Sequence, residues 1–329
     1  MMPSMMHLSP RHTARLQQWL RIASLMLAAA ASPTVAQEPP SAVEEQALET
    51  SDGVRFGAWY YAAPAETKPT ATVILIHDIG GSHKSVSDLA RALQRAGCAV
   101  VAPDLRGHGS ASQRGGESTA EAHQLLRKAD FEAIAASDGR VRDDPASSHR
   151  GEIEAIRGWI KKQADAGRLD IDRLCVVGSG LGATLAAMWT AADWNWPPTT
   201  AGPQGQQVKA LVLVSPAMAK RGLPMTGPLA SEAIRFAVPV MVLAGTNDRE
   251  ASRFFDQLKR FRPKAWFQQR DGQPPEKARD LEDPSDATAF LIQCNTTLSG
   301  DKLATDTTVN VADKVKTFLG MMLDKKPRE

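Results

Sequence analysis

The chain has 329 residues, and its 39 basic and 37 acidic side chains leave a formal charge of +2, which gives no electrostatic case for a nucleic-acid partner. Its 43% apolar content, without a solenoid-type repeat, fits one large domain with a substantial core. Three cysteines, each in an apolar run, are an odd number that argues for core packing and against a disulfide framework.

Residues 1–36 read as a secretory signal: Arg11, Arg15 and Arg21 make a basic start, Ile22 to Ala31 an apolar stretch, and Thr34-Val35-Ala36 the small residues before a cleavage site. That stretch is far below the roughly 20 residues a bilayer span needs, and nothing else qualifies, so the expectation is an exported chain with no membrane span after signal removal. Residues 37–46, with Pro39-Pro40, read as a flexible leader.

The main domain is expected over residues 47–325. Ala47 to Thr50, the turn Ser51-Asp52-Gly53, and Val54 to Ala62 predict a β-hairpin. Ala71 to Ile76 is a short apolar run of the kind expected for a parallel strand covered on both faces, and it ends in the loop His77-Asp78-Ile79-Gly80-Gly81. Leu89, Leu93 and Ala96 space a helix closed by Gly97, and Cys98 to Ala102 is the next strand. Residues 110–150 are polar and Gly-rich with a helix predicted from Thr119 to about Ala136, read as a lid or, more simply, as a surface excursion. Ile153, Ile156, Trp159 and Ile160 mark another helix. Leu174 to Ala187 is then a buried strand, a Gly-rich turn and a small-residue helix. Strands at Lys209 to Ser215, Val238 to Ala244 and Ala289 to Cys294, and a helix from Val311 to Met322, complete an alternation that predicts a doubly wound, mostly parallel sheet, an α/β fold.

Gly178-Ser179-Gly180-Leu181-Gly182 has the layout of a nucleophile elbow, G-x-S-x-G, but its central position is glycine. Together with Val73 to Gly81 and Ala102-Pro103-Asp104-Leu105-Arg106-Gly107-His108-Gly109-Ser110, this segment resembles the α/β-hydrolase superfamily, most closely its serine aminopeptidase and monoacylglycerol-lipase-like branch. The resemblance implies an α/β-hydrolase fold and an ancestral acyl-transfer site in which serine attacks, histidine carries its proton, an acid orients the histidine and two backbone amides hold the oxyanion. Carried onto this chain, the nucleophile position is Gly180, the acid is Asp248, and the amides are those of Ile79 and Leu181. Asp248 could equally cap the following helix. His77 and His108 fall in the family's non-catalytic, loop-organising positions, and Asp78 stands where many relatives have glycine.

The loop that should carry the histidine, Asn295 to Asp301, has none, and no histidine follows His149 anywhere. That absence also disfavours a metal site, and no cofactor is expected. Ser179 is a second nucleophile candidate, although Val177 and Leu181 would then flank it where the elbow needs glycine. Gly178-Ser179-Gly180-Leu181-Gly182-Ala183 also satisfies the dinucleotide fingerprint, but the next strand ends in Leu213-Val214-Ser215-Pro216 and offers no acid to a ribose. The expectation is a catalytically inactive hydrolase-fold protein acting as a binding or structural module for a small-molecule or peptide ligand. The alternative is an esterase, lipase or peptidase using unorthodox groups.

Overall fold

The computed structural model describes residues 43–64, 68–111, 113–114, 117–118, 122–137, 151–200 and 204–324. The expected signal at 1–36 and most of the expected leader at 37–46 lie outside them. Ten strands form the main sheet: β1 (Val43–Glu49), β2 (Arg55–Tyr61), β3 (Thr72–Ile76), β4 (Ala99–Pro103), β5 (Leu174–Ser179), β6 (Val208–Val214), β7 (Val240–Gly245), β8 (Trp266–Arg270), β9 (Glu276–Lys277) and β10 (Ala289–Cys294). Their order across the sheet is β1-β2-β4-β3-β5-β6-β7-β10-β8-β9. From β4 to β8 every pairing is parallel, and the antiparallel pairs are the hairpin β1–β2, its junction β2–β4, and β8–β9 at the far edge.

The central strands are buried along their whole length because helices cover both faces, which is why they read as continuous apolar runs. Helix α1 (Ser87–Arg95) turns Leu89, Ala90 and Leu93 inward at helical period, and Gly97, at φ +93°, ends the turn that leads into β4. Helix α2 spans Lys128–Ile134, α3 Glu152–Asp165, and α4 Leu181–Trp194. Of these, α4 is apolar nearly all round and mostly inside the fold, with Trp189 fully buried. After it come α5 (Arg249–Phe261), the short α6 (Gly300–Ala304) and the closing α7 (Val311–Leu323), which buries Val311, Val315, Phe318 and Leu319. No helix among the described residues is long and apolar enough to cross a membrane.

Three features differ from the sequence reading. Strand β1 begins at Val43, inside the expected leader, because residues from Val43 onward pair with β2 in a register running from Val43–Tyr61 to Glu49–Arg55. The predicted helix of 119–136 is broken in its described part into a 3₁₀ turn, Ala122–Leu125, and α2. The break is made by Asp130, whose carboxylate takes the Arg127 amide at 2.7 Å and so starts a new helix at Lys128. Strands β8 and β9 carry no apolar run to announce them: Gln268 and Gln269 are buried in β8 although they look like surface residues.

Cys98, Cys175 and Cys294 are free and buried, and burial raises the pKa of each thiol, that of Cys294 to about 11, so all three pack as unreactive core residues.

Candidate functional site

The carboxyl ends of β3, β5, β6, β7 and β10 open onto one cleft of about 440 Å³, lined by Asp78, Gly180, Ser215, Lys220, Gly245, Asp248, Thr296 and Gly300 among others. This is where an open α/β sheet places its ligands. No described residue of 110–150 lines it.

Gly180 turns the chain from β5 into α4 at φ +55°, ψ −112°, a backbone conformation L side chains rarely adopt. The two framing glycines are required by close approach: a Cβ on Gly182 would lie 2.5 Å from the carbonyl oxygens of Ile76 and His77, and one on Gly178 would meet the Gly182 carbonyl. The elbow geometry is therefore held by Gly178 and Gly182.

The Asp78 carboxylate fills the space in front of Gly180. A Cβ there would overlap its carboxyl group, and one on Gly300, at φ +56°, would lie 2.5 Å from Oδ2. Both Ile79 N–H and Leu181 N–H donate to Asp78 Oδ1 at 2.7 Å, so the two amides expected to hold an oxyanion converge on a side chain of the same protein. Lys220 Nζ reaches the same oxygen at 2.7 Å. Lys220 is delivered by a two-residue hairpin, Ala219–Lys220 with Leu223–Pro224, whose turn residues Arg221 and Gly222 both have positive φ, as a type I′ turn demands. That lysine was not singled out in the sequence, and its only signal is the Arg-Gly turn between two short extended segments.

Asp301 supplies the other half of the arrangement. It stands in the first turn of α6, at the end of the segment after β10 where the resemblance implies a histidine, and it accepts from the Asp78 backbone amide at 2.8 Å, from Ser85 Oγ at 2.5 Å and from Ser179 Oγ. Ser179, itself buried, thus spends its hydroxyl proton on Asp301 rather than facing the cleft. Asp248 lines the cleft and caps α5, its Oδ1 accepting from Ala251 N–H at 3.0 Å. Leu181 N–H, the amide a pyrophosphate would need at this helix start, is taken by Asp78. Trp189, Trp194 and Trp196 give their indole N–H groups to Glu154, the Val208 carbonyl and Ser137, and none lines the cleft.

The histidines organise backbone. His77 Nε2 accepts from Leu105 N–H at 3.3 Å, which leaves Nδ1–H to donate to the Asp78 carbonyl at 2.7 Å. His108 donates from Nδ1 to the Arg106 carbonyl at 2.9 Å, and its ring lies 4.9 Å from His77 and 5.2 Å from His123. Burial depresses the pKa of both His77 and His108, that of His108 to about 4, with His77 adding to the shift at His108. Beneath them the D-L-R-G-H-G-S loop is fastened by charge. Asp104 accepts from His83 N and Ser110 N at 2.7 and 2.6 Å, while Arg106 grips Glu152 through Nε and Nη2 at 2.7 and 3.0 Å and Asp52 through Nη1 at 2.8 Å.

A profile of the alpha/beta hydrolase family matches residues 73–318, which takes in every strand from β3 to β10. The chain belongs to that family. Hydrolase-fold structures superpose on it, although no curated protein matches it in sequence. One is a thermostable carboxylesterase cloned from a metagenomic library, at 16% identity and a TM-score of 0.54, covering 97% of this chain and 99% of that one. Another is an esterase of Pyrococcus furiosus, at 13% identity and a TM-score of 0.54, covering 89% and 98%. A soluble variant of the monoglyceride lipase of Saccharomyces cerevisiae, crystallised with a substrate analogue, follows at 11% identity and a TM-score of 0.51, covering 88% and 98%. At these identities the likeness is one of fold.

Proposed function

We propose that this chain is an alpha/beta hydrolase family member of the serine aminopeptidase and monoacylglycerol-lipase-like branch that has given up acyl transfer and acts as a binding or structural module. The observation that carries this reading is the Asp78 carboxylate, which occupies the space a nucleophile on Gly180 would need and takes both oxyanion-hole amides. A substrate carbonyl would find no attacking oxygen at Gly180, and a negative charge where the developing oxyanion should be stabilised. Asp248 is then a vestigial acid kept by its capping bond. Ser179 is a poor replacement because its hydroxyl is buried and bonded to Asp301.

The test is an assay of 4-nitrophenyl acetate and short aminoacyl anilide turnover alongside labelling with a serine-directed fluorophosphonate. The expected result is neither turnover above a heat-denatured control nor labelling. Turnover abolished by Ser179→Ala in folded protein would establish the unorthodox hydrolase instead. We further propose that the chain is exported and that its mature form begins at Gln37. N-terminal sequencing of protein from the native host checks this, and a mature form retaining Ile22 to Ala31 would refute it.

A further inference from the structure

We propose that Ile79 N–H, Leu181 N–H and Lys220 Nζ form a carboxylate-binding cradle, of which Asp78 is the tethered, built-in ligand. The inference rests on the reading that this hole no longer serves acyl transfer, and it explains four residues together. Three donors from three separate segments, a loop after β3, the first turn of α4 and the Lys220 hairpin, meet on the single oxygen Oδ1 at 2.7 Å each. Gly180 and Gly300 supply the room: a side chain on either would strike the carboxylate. The Asp78 amide, fixed by Asp301 at 2.8 Å, and its carbonyl, fixed by His77 at 2.7 Å, aim the side chain from behind.

Charge-assisted bonds from two backbone amides and an ammonium are the pattern by which proteins hold small carboxylates. Here the occupant is part of the chain, so free anions and carbonyl oxygens are kept out by a competitor at high effective concentration. Removing the occupant should turn the cradle into a receptor for the group removed. Asp78→Gly deletes a CH₂–COO⁻ unit, for which acetate is the free equivalent, and the cleft beside it gives acetate a path in.

The experiment is a thermal-melt titration of the full chain. Asp78→Gly is expected to melt lower than wild type and to recover with acetate or formate in a saturable way, as a ligand that binds only the native state requires. Wild type should not respond, nor should the variant respond to chloride at equal ionic strength or to acetamide. Adding Lys220→Met should weaken acetate at least about tenfold, the scale of one lost charge-assisted bond. Folded Asp78→Gly that ignores both acids, or a lysine variant with undiminished affinity, overturns the proposal. Should Asp78→Gly fail to fold even in acetate, the Ile79 and Leu181 amide proton resonances of wild type carry the test. They must shift together when Lys220→Met removes the third donor to the shared oxygen, and independent behaviour overturns it. Ester turnover by wild type would defeat the functional reading while leaving these binding results to stand or fall by themselves.

Discussion

Gly180→Ser is expected to restore the look of the nucleophile elbow while lowering stability by about 2 to 6 kcal/mol, and to restore no hydrolysis. Two costs add. A serine at φ +55° sits in a sparsely populated backbone conformation, worth roughly 1 to 3 kcal/mol, and its Cβ overlaps the Asp78 carboxylate, an overpacking worth about as much again. The second cost depends on Asp78 and the first does not. Asp78→Gly should therefore rescue part of the damage: the double variant is expected to fall short of the sum of the two single losses by about 1 to 3 kcal/mol, as touching residues do. Denaturant melts of the four proteins measure this, and additive losses would mean that serine and Asp78 do not compete for one space.

Hydrolysis is expected to stay absent in this series because the histidine that would take the serine proton is missing after the last strand. No histidine follows His149, and His77, next to Asp78 in the chain, has both ring nitrogens committed, to the Leu105 amide and the Asp78 carbonyl. Ester turnover by Gly180→Ser with Asp78→Gly would reveal a general base other than histidine in the cleft.

The parts of this molecule legible in its sequence are those whose physics is local. Parallel strands buried on both faces announce themselves as apolar runs, so β3 to β7 and β10 fall within about two residues of their expected positions, and Gly178 and Gly182 mark the elbow because only glycine permits that approach of helix to strand. Strand β8 carries no apolar run because two of its three buried residues are glutamines. What sequence reading could not give is the identity of the partners. Asp78 looks like a small departure beside the hole, Asp301 like an ordinary loop acid, and Lys220 like a surface cation. Only the fold brings the three together across 223 positions of separation between Asp78 and Asp301 and places Lys220 on the same carboxylate. The absence of serine at position 180 and of a histidine after the last strand was readable; that a carboxylate fills the space in front of Gly180 was not.

Arg106→Met is expected to cost about 3 to 5 kcal/mol, because it leaves Glu152 charged and without its main partner at a site with no exposure to solvent. Burial works to lower the pKa of the Arg106 guanidinium, but its bonds to Glu152 and Asp52 raise it above its ordinary value, so the guanidinium keeps its charge. Removing the other partner should matter far less: the Asp52 side chain is 49% exposed, and Asp52→Asn is expected to cost about 1 kcal/mol or less. If the loss in Arg106→Met comes from the stranded carboxylate, adding Glu152→Leu should recover a large part of it, since an ion pair replaced whole by apolar groups is often neutral. The consequence reaches the cleft. Arg106 holds the loop whose Leu105 amide sets the His77 ring, and that ring holds the Asp78 carbonyl. Amide exchange at Ile79 and Leu181 should therefore quicken in Arg106→Met by more than global destabilisation accounts for, whereas an Asp52→Asn protein should keep wild-type protection there. Protection at those two amides that simply tracks global stability in both variants would show that the signature loop and the cradle are mechanically independent.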